Sequence, residues 1–319
     1  MIKILANDGI HPDGQALLEK SNFQVVTEKV AQEDLGKELP NYDVIIVRSA
    51  TTVRQALIDQ CPNLKIIARA GVGLDNIDVD YAKSKGITVV NTPSASSAAV
   101  AELVFAHLFG IARSLYKANR EMPSQGDTAF KKLKKSYAKG FQLQGKTLGI
   151  IGLGRIGQET ARIGLALGMK VLPVDPFIEE AEINIQLYDN SLDLSIKLAT
   201  TSMEKMLAAS DVITLHIPFT GKAVIGADEF AQMKDGTILI NASRGGTVDE
   251  VALLAALESG KIASAGVDVF DSEPTPRKAL LTHPNVSLTP HIGASTQEAQ
   301  SNIGLELADQ IIAYYKEQK

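Results

Sequence analysis

The chain has 319 residues, enough for about two domains of ordinary size, and its 45% hydrophobic content gives each the material for a full core. A net charge of −5 argues against nucleic-acid binding, which draws on many basic contacts. The single cysteine, Cys61, excludes an intrachain disulfide, a cysteine-based zinc cluster and a CxxC redox pair, so no metal site is expected. No apolar run approaches the ~20 residues that cross a bilayer, and the N-terminus lacks the basic-then-apolar order of a signal peptide. These features read as a cytoplasmic protein with no membrane partner.

Strand-like segments at residues 2–6, 44–48, 65–69 and 87–91 alternate with helix-compatible stretches, as in an α/β unit. Residues 96–119 then read as one long, largely apolar helix. In the stretch that follows, Lys131, Lys132, Lys134, Lys135 and Lys139 form a basic patch, read as a solvated surface or as a reach into a partner subunit's site. A second alternation starts at Thr147, with strands expected near 148–151, 169–174, 212–216, 237–241, 264–269 and 286–288. Six parallel strands fit a doubly wound sheet. Residues 295–315 look like a last helix, in which Ser295 and Glu298 match a capping box and Ile303, Leu307 and Ile311 recur every four residues.

Where the first strand of the second alternation ends, the chain reads GLGRIG from Gly152 to Gly157, followed by a helix-like stretch from Gln158 to Leu167. A dinucleotide-binding turn needs that order: Gly152 for the tight turn, Gly154 for backbone approach to a pyrophosphate, Gly157 for close helix–strand packing. The helix N-terminus then attracts the anion. Asp175 ends the next strand, close to the ~20-residue spacing at which an acidic side chain reaches the adenosine ribose. A carboxylate there repels a 2′-phosphate, which favours NAD over NADP. Because this turn lies mid-chain, the fold expected is α/β with two doubly wound, Rossmann-like or flavodoxin-like domains. Residues 96–289 form the NAD-binding domain, inserted into a discontinuous substrate domain of residues 1–95 and 290–319. A cleft between them is the default ligand site.

Several stretches together resemble the D-isomer-specific 2-hydroxyacid dehydrogenases. They are RSAT (48–51), RAGVGLDNID (69–78), NTP (91–93), AEL (101–103), GKTLGIIGLGRIG (145–157), LHIPFT (215–220), NASRGG (241–246), GVDVFDSEP (266–274) and TPHIGAST (289–296). The first half is most similar to the phosphoglycerate dehydrogenase branch. The resemblance implies a catalytic trio of Arg244, Glu273 and His291. Reducing a 2-keto acid needs a proton on the carbonyl oxygen, and histidine titrates near neutrality, so His291 is the expected acid in reduction and base in oxidation. Glu273 beside it would favour the imidazolium, raising the histidine pKa and fixing its tautomer. Arg244 offers a planar fork of donors to the substrate carboxylate and carbonyl oxygen. Taken singly, Arg244 also fits a structural salt bridge, Glu273 an exposed loop residue, and His291 a cap for the last helix.

The resemblance also implies cofactor contacts at Arg155 and Ile156, at His216 and Pro218, at Ala242, at Asp268 beside the nicotinamide carboxamide, and at Gly293. His107, within an apolar helix, reads instead as a satisfied core histidine. For substrate, Ser49, Val72 and Gly73 match loops whose amides hold a carboxylate. Arg48 and Arg69 stand where phosphoglycerate dehydrogenases carry basic residues, or else pair with carboxylates such as Asp75 or Asp78. The expected activity is NAD-dependent oxidation of 3-phosphoglycerate, opening serine synthesis, in a homodimer formed through the NAD-binding domain. The alternatives are reduction of glyoxylate, hydroxypyruvate or another small 2-keto acid, and an NAD-sensing corepressor-like protein.

Two departures from the family stand out. The chain has no tryptophan, with Phe130 a candidate for the place many relatives give to one. Residues 183–198 read as an inserted β-hairpin near the adenine side, with alternating Ile183, Ile185 and Leu187, a turn at Asp189 to Ser191, and alternating Leu192, Leu194, Ile196 and Leu198. It would add a sheet edge or a subunit contact. The chain also stops after its last helix, so no C-terminal serine-binding regulatory domain, and no serine inhibition through one, is expected.

Overall fold

The computed structural model describes residues 1–186 and 193–318. The chain divides into two compact units, residues 1–99 with 294–319 and residues 100–293.

The first unit runs β1 (Lys3–Ala6), α1 (Pro12–Lys20), β2 (Gln24–Val26), α2 (Leu35–Glu38), β3 (Val44–Val47), α3 (Gln55–Ile58), β4 (Ile66–Arg69), α4 (Val79–Ser84) and β5 (Thr88–Asn91). Its five strands are parallel in the order β2-β1-β3-β4-β5. This sheet is covered on both faces, so its strands read as continuous apolar runs rather than alternating ones. Ile45, Val47 and Ile67 pack to one side with Leu35, Leu39 and Leu57. Val44, Ile46 and Ile66 pack to the other side with Leu18 and with Ile303, Leu307 and Ile311 of the chain's last helix. Short β2, with only partial burial, lacked the apolar run that marked its neighbours.

The second unit begins within α5 (Ser97–Ala112) and continues through α6 (Leu115–Gln125), α7 (Phe130–Ser136), β6 (Thr147–Ile151), α8 (Arg155–Ala166), β7 (Lys170–Val174), β8 (Glu180–Gln186) and β9 (Asp193–Ala199). It ends with α9 (Met203–Ala209), β10 (Val212–Leu215), α10 (Ala227–Gln232), β11 (Thr237–Asn241), α11 (Glu250–Glu258), β12 (Ile262–Val267), α12 (Lys278–Leu281) and β13 (Val286–Leu288). The six-strand parallel sheet has the order β13-β12-β11-β10-β6-β7. Val104, Phe105 and Leu108 of α5 cover one face with Leu148, Ile150 and Ile240, while Met206, Phe230 and Leu253 cover the other with Ile213, Leu215 and Leu239.

Three local expectations are corrected. The long helix over 96–119 is two helices: Ser114 takes a left-handed φ of 52°, ending α5, and α6 leaves at 56° to it. The chain turns from apolar to polar at the break, from SAAVAELVFAHLFGIA in α5 to LYKANREMPSQ in α6, and that change was the signal the sequence offered. The last helix, α13 (Gln297–Glu317), is capped by Thr296, whose hydroxyl accepts from the Ala299 amide at 3.1 Å, so Ser295 and Glu298 do not form the capping box. The helix after the glycine turn starts at Arg155 rather than Gln158. The inserted hairpin does form, with β8 and β9 antiparallel and Ile183 opposite Ile196, while the turn expected at Asp189 to Ser191 lies outside the described residues. Ala181 and Ile183 are buried in the core that also holds Ala161 of α8, so the hairpin covers that helix. Among the described residues no single helix is long and apolar enough to cross a membrane.

In the first unit α1 and α13 meet where two glycines face each other, and a Cβ on Gly14 would lie 2.4 Å from the Gly304 carbonyl oxygen. That oxygen belongs to helix backbone and cannot swing away. We expect Gly14→Ala to cost at least the ~1–3 kcal/mol typical of overpacking, read as a lower urea midpoint for this unit. A wild-type midpoint would show that the two helices separate at no cost.

Candidate active site

In a doubly wound sheet the ligand crevice opens at the carboxyl ends of the strands, where the chain order reverses. In the second unit that point lies between β6 and β10. Gly152, at the end of β6, has a φ of 95°, and a Cβ on it would stand 2.6 Å from the His216 carbonyl oxygen. A Cβ on Gly157 would meet the Gly152 carbonyl oxygen at 2.0 Å, so helix α8 can close on the turn only with glycine there. Gly154 faces open space, with nothing within 4 Å of its would-be Cβ, and no side chain caps the helix N-terminus. An uncapped N-terminus presenting a bare backbone face is what a pyrophosphate requires.

Asp175, at the end of β7, accepts from the Leu153 amide at 2.7 Å through Oδ2, and from the Phe177 and Ile178 amides at 2.8 and 3.1 Å through Oδ1. It therefore holds the glycine turn in place. A carboxylate offers about four acceptor positions, so capacity remains for a ribose hydroxyl. His216, at the end of β10, keeps Nε2 3.3 Å from the Thr214 hydroxyl, and its buried Nδ1 has no hydrogen-bond partner among the described residues. Burial pushes its imidazole down to about 3, so the ring stays neutral. The open glycine, the uncapped helix and this buried ring nitrogen fit a dinucleotide. Arg155 and Pro218 are exposed nearby in sequence, and Ile156 is half-buried.

The expected trio lies on loops that follow β11, β12 and β13, three neighbouring parallel strands. His291 Nδ1 sits 2.8 Å from Glu273 Oε2, and the other Glu273 oxygen accepts from the Phe270 amide at 2.9 Å. An ionised carboxylate only accepts, so Nδ1 carries the proton and Nε2 becomes the nitrogen that exchanges one. The two side chains are 44% and 37% exposed, open enough for a small molecule to reach the ring. His291 does not cap α13.

Arg244 is held by a turn wound around Asn241, whose Nδ2 donates to the Arg244 carbonyl at 3.3 Å while Thr247 donates to the same carbonyl at 2.7 Å. Its own Nη1 donates to the Ser243 carbonyl at 2.6 Å. A Cβ on Gly245 would lie 2.0 Å from the Phe270 carbonyl oxygen, and the Gly246 amide donates to Asp271 at 2.6 Å. The Asp271 amide in turn donates to buried Glu250 at 2.9 Å, and Glu250 is 3.4 Å from Arg277 Nε. The loops carrying Arg244 and Glu273 are thus laced together by residues the sequence did not single out. Their signal was faint, since Asp271 and Glu250 look like ordinary loop and first-turn acids.

Asp268 is 1% exposed, and its oxygens accept from the Thr289 hydroxyl at 2.6 Å and from the Ile292 and Gly293 amides at 2.8 and 2.9 Å. Ala242 is buried beside the Arg244 turn. Gly293 is confined, since a Cβ there would lie 3.3 Å from both Asp268 Oδ2 and Val100 Cγ2.

In the first unit the reversal of strand order lies between β1 and β3. Asp8, just past β1, accepts from the Arg48 and Thr51 amides at 2.7 and 3.0 Å, and Asn76 donates to the Arg48 and Thr51 carbonyls at 2.7 and 2.6 Å. The RSAT loop is shaped by this pair, leaving Ser49 exposed. Arg69 folds over Gly71, where a Cβ would lie 1.6 Å from Arg69 Nη1, and the Gly71 φ of 141° favours glycine. Asn91 donates to the Val72 carbonyl at 2.7 Å, steadying the half-buried Val72–Gly73 stretch. Asp78 pairs with Arg54 at 2.9 Å. Asp8 and Asn76 were missed, although a polar pair closing an apolar strand was the available signal.

The family model for the D-isomer specific 2-hydroxyacid dehydrogenase NAD-binding domain matches residues 105–293. The chain is 42% identical over 315 residues to a hydroxypyruvate reductase of Thermotoga maritima, covering 97% of each. It is 42% identical over 316 residues to a D-3-phosphoglycerate dehydrogenase of Methanocaldococcus jannaschii, covering 98% of this chain but spanning only 57% of that relative's length. A solved structure from Thermus thermophilus superposes with a TM-score of 0.85 at 28% identity, covering 99% of this chain and 97% of the other. The chain belongs to the D-isomer specific 2-hydroxyacid dehydrogenases, and its second unit is that family's NAD-binding domain.

Proposed function

We propose that this protein oxidises 3-phosphoglycerate to 3-phosphohydroxypyruvate with NAD. The observation that carries the reaction type is the 2.8 Å pair of His291 and Glu273, in the unit that also carries the glycine turn. Converting a 2-hydroxyl to a ketone removes a proton from oxygen and a hydride from carbon, and bound NAD supplies the hydride acceptor. The chain's own side chains handle the rest. His291 Nε2 takes the hydroxyl proton as the carbonyl forms, while Glu273 holds the ring through Nδ1. Arg244 binds the carboxylate and the developing carbonyl oxygen with its fork of donors. Gly152, Gly154, Arg155, Ile156 and Gly157 cradle the pyrophosphate, and Asp175 takes the ribose and repels a 2′-phosphate. His216, Pro218, Ala242, Asp268 and Gly293 complete the cofactor contacts.

For substrate, we assign the carboxylate to the amides of Ser49, Val72 and Gly73 and the distal phosphate to Arg48 and Arg69. Relatives named D-3-phosphoglycerate dehydrogenase in Methanocaldococcus jannaschii and Archaeoglobus fulgidus support this choice. A second reading, reduction of hydroxypyruvate, is favoured by the Thermotoga maritima relative, which this chain matches along nearly its whole length. We further assign a homodimer through the NAD-binding unit. Phe109, Leu115, Met122 and Phe130 on α5, α6 and α7 are large apolar side chains left exposed, as a subunit contact would need.

A panel of 3-phosphoglycerate, phosphohydroxypyruvate, hydroxypyruvate and glyoxylate with NAD or NADP, followed by nicotinamide absorbance, tests the substrate. Expected is preferred turnover of the phosphorylated pair with NAD; faster glyoxylate or hydroxypyruvate reduction replaces the first reading by the second. Glu273→Gln keeps an acceptor for the Phe270 amide yet removes the charge facing His291. It should lower kcat by about 100-fold, the lower bound for general acid–base catalysis, with NAD affinity by calorimetry unchanged. Near-normal turnover would remove Glu273 from the mechanism.

A further inference from the structure

His291 adopts a left-handed backbone conformation, φ 55°, which a non-glycine residue holds only when its surroundings impose it. The imposing group is Asp268. Its carbonyl accepts the His291 amide at 2.8 Å, and its side chain accepts the next two amides, of Ile292 and Gly293, at 2.8 and 2.9 Å. Three successive N–H groups thus converge on one residue, and rotation of the Asp268 carboxylate would release two of them.

What prevents that rotation lies behind the carboxylate. The Thr289 hydroxyl donates to Asp268 Oδ1 at 2.6 Å, and His107 Nε2 stands 2.9 Å from the same hydroxyl oxygen. A threonine has one hydroxyl proton, and here it is spent on the carboxylate. Its oxygen must therefore accept from His107, so Nε2 carries a proton. Burial lowers the affinity of His107 for a second proton, which leaves Nδ1 bare to accept from the Ser287 hydroxyl at 2.9 Å. Every hydrogen in the chain Ser287, His107, Thr289, Asp268 then points the same way. His107 is 4% exposed on α5, packed so that a Cβ on Gly266 would come within 2.8 Å of its own Cβ.

We propose that His107 is a positioning residue for His291, acting through Thr289 and Asp268. The inference rests on the reading of His291 as the proton carrier, and it makes the core histidine of α5 part of what aims that ring. A leucine at 107 would fill similar space without a donor, leaving Thr289 free to turn its proton elsewhere. A glutamine would restore an N–H close to the place of Nε2.

The 319-residue chain labelled at its histidine ring carbons gives signals from five histidines, and His291 is assigned from the one lost in His291→Asn. In His107→Leu and in Thr289→Val the His291 ring signal should move, and in His107→Gln it should return to the wild-type position. Turnover should follow the same order, falling about 10- to 100-fold in the first two, as for a reacting group displaced by about 1 Å, with KM changing far less. An unmoved His291 signal with normal turnover in both donor-removing variants overturns the proposal, as does His107→Gln that fails to recover. Should His107→Leu not fold, Thr289→Val decides. A wild-type protein inactive on every 2-keto acid would instead overturn the proton-carrier reading, because the ring signals report the positioning without turnover.

Discussion

Parallel strands must be buried on both faces, and their crossovers return every strand in the same direction. All strand ends in one sheet therefore open at one edge, where loops escape the core and polar groups meet solvent. In the second unit this gathers the glycine turn, Asp175, His216, Arg244, Asp268 and His291 on loops from six neighbouring strands. Residues dozens of positions apart, such as Gly152 and His216, become neighbours with no helix or turn signal of their own that says so.

A loop at such an edge has backbone amides that no ladder satisfies, and each left buried and unpaired would cost about 1–3 kcal/mol. The chain answers with carboxylates at strand ends. Asp8 takes the Arg48 and Thr51 amides, Asp175 takes those of Leu153, Phe177 and Ile178, and Asp268 takes those of Ile292 and Gly293. Asp271 and Glu250 do the same for the loops that carry Arg244 and Glu273. Bonds to a charged acceptor are stronger than neutral ones, so they can hold irregular backbone where regular structure has ended. The site is stiff because its acids are spent on amides, and Asp175 and Asp268 retain acceptor positions beyond those bonds.

Glycine works with these carboxylates in the opposite sense, by absence. Gly152 and Gly157 let α8 close on the turn, Gly71 makes room for Arg69, and Gly245 lets two loops touch. The hairpin of β8 and β9 adds cover on α8 rather than a further strand to the sheet, and Ala181 and Ile183 supply that contact. Its alternating residues had left open a sheet edge or a subunit contact, because alternation says that one face is buried without saying against what.

Much of this was legible from residue order. Apolar runs marked nearly all the strands, the GLGRIG turn located the cofactor domain, and Arg244, Glu273 and His291 stood out by resemblance. Periodicity did not reveal the break at Ser114, although the chain turns from apolar to polar there, and short β2 had too little apolar run to register. The hold of these acids on loop amides was not legible, even where Asp175 and Asp268 themselves stood out, because an aspartate after a strand looks the same whether it faces water or caps a distant loop. The sequence alone determined the α/β class, the dinucleotide turn and the residue types that chemistry needs. Tertiary structure alone decided that Glu273 meets His291, that Asp268 braces the loop beneath it, and that His107 stands at the far end of that brace. Hydrogen bonds of this kind join residues through space, and only packing brings their donors and acceptors within reach.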